Sequence, residues 1–253
     1  MAQKKSGEFA ENVKTIIYAL LIALVIRSFL FQPFNIPSGS MIPTLLVGDY
    51  LFVSKYAYGF SRHSFPFSPP LFSGRIFPRT PERGDIAVFK LPVDGHTDYI
   101  KRVIGLPGDR VQMQEGRLYI NGQAVRQVQI ADFVEKDIQG NASQARQYRE
   151  TLPEGASYNV LDLLIDGPVD NTGVFTVPEG HVFVMGDNRD NSSDSRVLNG
   201  GVGFVPMENL VGRAEFLFFS TDGSARFWEF WKWLPAMRLN RMFRTIHSIQ
   251  DDV

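Results

Sequence analysis

The feature that most constrains this chain lies near its amino terminus. From Thr15 to Ile26 it reads TIIYALLIALVI, twelve consecutive residues without a charge. A bilayer-crossing helix needs about 20 mainly apolar residues. Reading on through Arg27 and Ser28 to Phe34 reaches 20 positions and adds Phe29, Leu30, Phe31 and Phe34. Arg27 then has to extend its long side chain to a polar interface. Pro33 ends the helix, because it has no N–H to donate and its ring clashes with the preceding turn. A buried core helix and a cleaved secretory leader are the competing readings. No Ala-x-Ala cleavage site follows the apolar run, which weighs against the leader. The sequence predicts one membrane anchor over 13–34, behind a short segment 1–12. Lys4, Lys5 and Lys14 precede the apolar run, which places the amino terminus in the cytoplasm and the rest of the chain outside. No later stretch reaches spanning length without charges.

The 253 residues suffice for one sizeable core with a smaller second lobe. Lys plus Arg is 26 and Asp plus Glu is 27, so the net charge is 26 − 27 = −1. That balance argues against a nucleic-acid partner, which calls for a basic excess. A hydrophobic fraction of 44% against 21% charged excludes a disordered chain. The absence of cysteine removes disulfides, thiolate-bound metals and a cysteine nucleophile together. Nothing in the pattern calls for a metal or another cofactor, or for more than a monomer.

From Pro37 onward the chain reads as short strands and turns. Asp49–Ser54 and Asp85–Leu91 are rich in β-branched and aromatic residues, and each follows a Gly-Asp turn signal. Val111–Gln114 and Arg117–Ile120 flank Glu115-Gly116, and Asn121-Gly122 reads as a two-residue hairpin turn. Gly173–Val177, His181–Met185, Val202–Val205 and Ala214–Phe219 complete the set. No βαβ alternation appears, so a parallel sheet is not expected. Residues 59–83 read as a long Pro- and Phe-rich loop, and the more polar 116–176 as a second lobe. The carboxyl-terminal FWEFWKW carries all three tryptophans beside Phe227 and Phe230, followed by Arg238, Arg241 and Arg244. Aromatics beside cations suit a lipid headgroup layer, and equally a segment packed on the domain's own core.

Three segments have residue types unusual for plain structure. PSGSM (37–41) sets two serines about a glycine in an apolar stretch. DYIKRVIGLPGD (98–109) puts Lys101 among Tyr99, Ile100, Val103 and Ile104. Lys101 and Arg102 are adjacent, so on a strand they face opposite ways and one of them can point inward. GDNRDNSSDSR (186–196) reads as a hydrogen-bonded polar loop or a calcium-binding one.

Together, in this order and behind an anchor, PSGSMIPTLLVGDYLFVSKYAYG, RGDIAVF, DYIKRVIGLPGD and GDNRDNSSDSR resemble the bacterial type I signal peptidases. These are membrane serine proteases that remove signal peptides from exported proteins. The resemblance implies a mainly β fold of coiled antiparallel sheets, with a catalytic domain over 35–115 and 177–226. It implies an inserted β-rich lobe over 116–176 and a membrane-proximal tail over 227–253. It implies Ser40 as nucleophile and Lys101 as general base. It also implies an oxyanion hole of Ser38 and the Ser40 backbone N–H, Ser192 as the group that positions the lysine, and Asp194 and Arg196 as the pair that shapes its loop. It implies that Phe34, Ile36, Pro37, Met41, Leu45, Tyr99 and Ile100 line pockets for small substrate side chains. The implied substrates are signal-peptide-bearing preproteins cut after Ala-x-Ala, and the implied place is the bacterial inner membrane. Many Gram-negative relatives have two spans and a disulfide, which this chain departs from.

The chemistry makes its own demands. Serine is a poor nucleophile until a base takes its proton. A lysine in water has a pKa near about 10.4 and is charged at neutral pH. Apolar burial lowers that value, and a nearby carboxylate undoes the effect. No ionised Asp or Glu is therefore expected in contact with Lys101. Of the four histidines, His63, His96, His181 and His247, none falls in the three segments, which disfavours a Ser-His-Asp triad. Ser40 lies nine residues past Phe31, a reach of at most about 30 Å, so the nucleophile is held near the bilayer surface. Two other functions compete: self-cleaving repressors that use a Ser-Lys dyad on a similar fold, and an anchored β domain that binds without catalysis. The repressors carry a helical DNA-binding domain, for which the first 36 residues leave no room beside the anchor.

Overall fold

A computed structural model describes residues 2–136, 142–198, 200–225 and 228–246. Phe227 and His247 lie outside the described residues. Helix α1 (Ala2–Val25) continues as one wider turn over Ile26–Leu30. Its stretch Phe9–Leu30 contains an 18-residue window of mean hydropathy 2.0, only 6% of which is buried against the protein. Among the described residues it is the one helix long and apolar enough to cross a membrane.

The strands follow in chain order. First come β1 (Phe31–Asn35), β2 (Asp49–Ser54), β3 (Ile86–Lys90), β4 (Asp98–Gly105), β5 (Arg110–Gln114), β6 (Arg117–Ile120), β7 (Gln123–Ala124) and β8 (Arg126–Gln129). Then come β9 (Phe133–Lys136), β10 (Ala142–Thr151), β11 (Ser157–Asp162), β12 (Phe175–Thr176), β13 (His181–Met185), β14 (Val205–Pro206) and β15 (Leu210–Ser220). The pairings between these strands are antiparallel, as expected for a mainly β chain. The principal sheet runs β1-β2-β15-β3-β4-β13-β14, and two four-stranded sheets gather β5, β6, β7, β12 and β8 to β11.

The helix ends earlier than the expected boundary at Phe34. Phe31–Asn35 is already a strand, paired to β2 with Pro33 opposite Phe52. β1 lies at the sheet edge, where the missing proline N–H breaks no ladder bond. Phe29 in the wide turn stacks edge-on with Phe60 and Phe65, each at 5.5 Å between ring centres. These contacts clamp the outer end of the helix to the 59–83 loop, and they account for two of that loop's phenylalanines.

Strand β3 is apolar from Ile86 to Phe89 because both its faces are covered there. Ile86 and Val88 join a core with Leu51, Val53 and Leu217, while Ala87 and Phe89 join another with Val103, Val184 and Leu210. The period of two assigns alternate residues to opposite cores. A third core combines Ile104, Val111 and Phe183 with Leu118, Ile120, Leu152 and Val160. The expected lobe 116–176 therefore shares its core with the flanking strands, and its proposed start at residue 116 falls inside the β5–β6 hairpin. Glu115 and Gly116 turn that hairpin with φ of 48° and 72°, and Asn121 and Gly122 turn the next with 53° and 81°. These left-handed pairs are the geometry that Asn-Gly signals.

Gly48 joins the segment after Ser40 to β2, and its φ is +89°. A Cβ there would sit 2.1 Å from the carbonyl oxygen of Thr221. Gly48→Ala is expected to lower the unfolding free energy by at least about 2 kcal/mol, read by urea denaturation of the detergent-solubilised chain.

Candidate active site

Ser40 sits in a one-turn 3-10 segment, Gly39–Met41, that leaves β1 and precedes β2. Lys101 is carried by β4, two strands inside the sheet. Their chain separation is closed by the sheet, and Lys101 Nζ lies 2.7 Å from Ser40 Oγ. The amine's other contact is the carbonyl of Ile100, at 3.1 Å. It also stands 5.3 Å from the centre of the Tyr99 ring. Ser38 Oγ lies 3.5 Å from Ser40 Oγ.

Lys101 is only 3% exposed. Burial pushes its pKa down to about 8, against a weaker opposing pull from Asp194 and Asp187. Neither acid pairs with the amine. Asp194 is held by Arg196, whose Nε and Nη2 donate to it at 2.9 Å. Burial alone would raise the Asp194 pKa, but Arg196 and the Gly186 N–H hold it below the usual carboxylate range. Asp187 takes two hydrogen bonds from Arg102, at 2.8 and 2.7 Å, with both side chains 1% exposed. Thr44 Oγ1 donates to the same carboxylate at 2.5 Å, which ties the segment after Ser40 to β4. The expectation that no acid touches Lys101 therefore holds among the described ion pairs.

The alternation of Lys101 and Arg102 suggests one inward side chain, and both are buried. β4 is covered on both faces, by the cleft floor on one and by Tyr158 on the other, whose ring lies 4.1 Å from the Arg102 guanidinium. Arg189 and Glu150 form a second buried pair, joined by Tyr158, whose hydroxyl donates to Glu150 at 3.0 Å. Sequence reading gave Arg102 no partner and missed Asp187, Arg189 and Glu150. Asp187 and Arg189 lie in the third segment, so its Asp and Arg density was the available signal.

The third segment reaches the nucleophile through its backbone. Asn188 N donates to the Ser40 carbonyl at 3.1 Å, and Asn188 Nδ2 to that of Gly39 at 3.0 Å. A Cβ on Gly186 would lie 2.3 Å from Ser192 Oγ and 2.5 Å from the Ser40 oxygen, so only glycine fits. Ser192, expected to hold the lysine, makes no hydrogen bond to it. Its buried hydroxyl lies toward Asp194 instead, where it helps hold that carboxylate below the usual range, while the amine's hydrogen bonds go to Ser40 and Ile100.

A cleft of about 520 Å³ opens over the pair and is lined by Phe34, Ile36, Pro37, Ser38, Ser40, Tyr99, Ile100 and Lys101, among others. Met41 and Leu45 do not reach it. Both are fully buried in the core beneath, with Ile36 and Leu51. No histidine lines the cleft. His63 is buried elsewhere, with Nδ1 2.9 Å from Ser68 Oγ, and burial pushes its pKa down to about 4. Lys55 is also buried and pushed down to about 8, yet its hydrogen bond goes to the His63 carbonyl at 3.5 Å and to no nucleophile.

The carboxyl-terminal segment divides its expected roles. Helix α2 (Phe230–Ala236) exposes Phe230, Trp231, Trp233 and Leu234. Two of the three arginines hold the segment to the domain, Arg241 pairing with Asp49 at 2.6 Å and Arg238 donating to the Val47 carbonyl at 2.9 Å, while Arg244 is exposed.

Residues 9–219 match the family model described as signal peptidase, peptidase S26. A signal peptidase I of Rickettsia typhi is 40% identical over 267 aligned positions, covering 98% of each chain. One of Rickettsia conorii is 39% identical, covering 98% of this chain and 94% of that one. The crystal structure of a signal peptidase I from Enterococcus faecalis aligns at 31% identity with a TM-score of 0.30, over 53% of this chain and 97% of that one.

The lowered pKa has a consequence for stability. In the unfolded chain Lys101 keeps its proton up to its ordinary 10.5, while in the fold it loses it near 8. The unfolded chain thus binds the extra proton, and below pH 8 this residue costs the fold about 3 kcal/mol. The cost fades as pH rises toward 10.5. Lys101→Met is expected to raise the Tm at pH 6–7, with the gain shrinking through pH 8–10 in differential scanning calorimetry.

Proposed function

The chain belongs to the signal peptidase family, peptidase S26, and is a serine peptidase acting in signal-peptide cleavage; from that premise we propose that it is a membrane-anchored endopeptidase that cuts preproteins after Ala-x-Ala by a Ser40–Lys101 dyad. The observation that carries this is the 2.7 Å contact between a buried amine and a serine oxygen, with no carboxylate on the nitrogen.

The reaction follows from that contact. With Lys101 neutral, its lone pair accepts the Ser40 proton as Oγ attacks the scissile carbonyl. The carbonyl oxygen becomes an oxyanion, stabilised by the Ser38 hydroxyl and the Ser40 backbone N–H. The Lys101 ammonium then gives its proton to the departing amine, and the C–N bond breaks to leave an acyl ester on Ser40. A water, deprotonated by Lys101, hydrolyses the ester and returns the proton to Ser40. Asp194 and Arg196 keep the loop against the nucleophile turn. Ser192 fits a role in packing against Gly186 better than one in holding the amine.

Specificity follows from the cleft walls. An extended peptide between 34–38 and 97–101 pairs with backbone on both sides, and Phe34, Ile36, Pro37, Tyr99 and Ile100 leave room only for small side chains. Helix α1 anchors the enzyme in the bacterial inner membrane with the amino terminus in the cytoplasm. The exposed aromatics of α2 rest in the headgroup layer. One copy contains the whole dyad, so a monomer suffices.

The test is cleavage of a preprotein carrying Ala-x-Ala by wild type, Ser40→Ala and Lys101→Arg. Both variants are expected to lose at least about a thousandfold in kcat/KM, because arginine keeps the charge and cannot accept a proton. Equal cleavage by all three rejects the mechanism. Since Lys101 titrates at about 8, its neutral fraction, and with it kcat/KM, is expected to rise roughly tenfold from pH 7 to 9. A flat profile over that range would count against Lys101 as the base.

A further inference from the structure

A second depression, of about 920 Å³, adjoins the cleft and shares Phe34 and Asp98 with it. Its far wall is the anchor helix itself: Leu20, Ala23, Leu24 and Arg27 line it. Their spacing of i, i+3, i+4 and i+7 puts them on one helical face. Along the axis Leu24 lies about 9 Å and Leu20 about 15 Å below Leu30, the outer end of the apolar stretch. The groove therefore starts inside the depth of the span and ends at the catalytic cleft.

Resting on the proposed peptidase reading, we infer that this groove is the entry track for the substrate, in which the apolar helix of the signal sequence packs on Leu20, Ala23 and Leu24 while the polar stretch behind it passes Phe34 and Asp98 into the cleft.

The division of the lining matches such a segment. The membrane end is apolar. The outer end carries Arg27, Gln32, Arg62, Lys90 and Asp98. A signal sequence has the same order, an apolar stretch and then a short polar one before the cut. Ala23 supplies the close approach that helices need in lipid, where packing rather than hydrophobic burial drives association. A phospholipid also has an apolar and a polar end, but the outer cations are largely spent. Lys90 is paired with Asp98 at 2.8 Å and Arg62 with Glu208 at 3.5 Å. The groove thus presents a near-neutral polar end, and its continuity with the cleft favours a chain that must reach Ser40.

The experiment uses the full-length enzyme in phospholipid vesicles with two substrates. One is a whole preprotein, and the other a short soluble peptide with the Ala-x-Ala site and no apolar helix. Ala23→Trp fills the groove, and Ile22→Trp, on a face outside it, controls for a tryptophan in the span. The ratio of kcat/KM for preprotein over peptide is expected to fall at least tenfold with Ala23→Trp and to hold with Ile22→Trp. In the Lys101→Met background, a benzophenone amino acid at Leu24 is expected to crosslink to the preprotein's apolar segment. An unchanged ratio overturns the inference, as does crosslinking to phospholipid alone. If wild type cuts neither substrate, the peptidase reading fails and takes the track with it. Cleavage of both with an unchanged ratio sinks the track alone.

Discussion

The structure depends on weakening one amine's hold on its proton while surrounding it with ionised groups. Lys101 sits in a protein with a dense set of buried ions, yet touches only a hydroxyl and a carbonyl. Two carboxylates lie near enough to pull its pKa up, and each is bound by its own arginine, Asp194 by Arg196 and Asp187 by Arg102. An arginine that forks onto a carboxylate cancels most of its field at a distance. Desolvation then wins at Lys101. The buried pairs are expensive in themselves, and their position around the dyad is what makes them intelligible. Lys55 shows that burial is not sufficient. It is shifted about as far, but no nucleophile lies beside it.

The fold supplies the contact by covering β4 on both faces. A half-exposed strand would put one of Lys101 and Arg102 in water. Here the odd residue serves the cleft and the even one fastens the base of the site to Asp187 and, through Thr44, to the segment that follows Ser40. The same carboxylate thus sets the distance between the two halves of the dyad. Gly186 lets the third segment approach both Ser192 and the Ser40 carbonyl at distances that any side chain would obstruct.

Much of this was legible in the chain. The Asn-Gly and Glu-Gly turns appear where left-handed backbone is needed, and β2, β6 and β13 have the bounds that alternation and β-branching indicate. The pairing of Ser40 with Lys101 followed from the resemblance, with only the apolar flanks of the lysine as independent support. Three matters were not legible. β1 was absorbed into the helix, because FLFQPF is as apolar as a span and a proline is equally at home after a helix and on an edge strand. Met41 and Leu45 read as pocket residues, although a residue beside a cleft can face the core as readily as the substrate. The arginine pairs were invisible because their partners are far apart in sequence, Arg102 and Asp187 by 85 positions and Glu150 and Arg189 by 39. Local pattern carries no information about such contacts.

The long apolar helix and the sheet that follows it are one continuous unit. The wide turn at Ile26–Leu30 passes directly into β1, and β1 leads in a few residues to Ser40. No linker separates them, and Phe29 is gripped by Phe60 and Phe65. A nucleophile on a flexible tether would sweep a volume set by the tether's length. This one is fixed in height and orientation above the helix that precedes it. On the proposed entry track, a segment lying along that helix would reach the cleft at a set register, so that the distance from its apolar end to the scissile bond would be a property the enzyme can measure. Small side-chain pockets alone would accept many surface loops. On the proposed reading, small pockets at a fixed height above a span would accept a chain only when an apolar helix precedes it by the right number of residues.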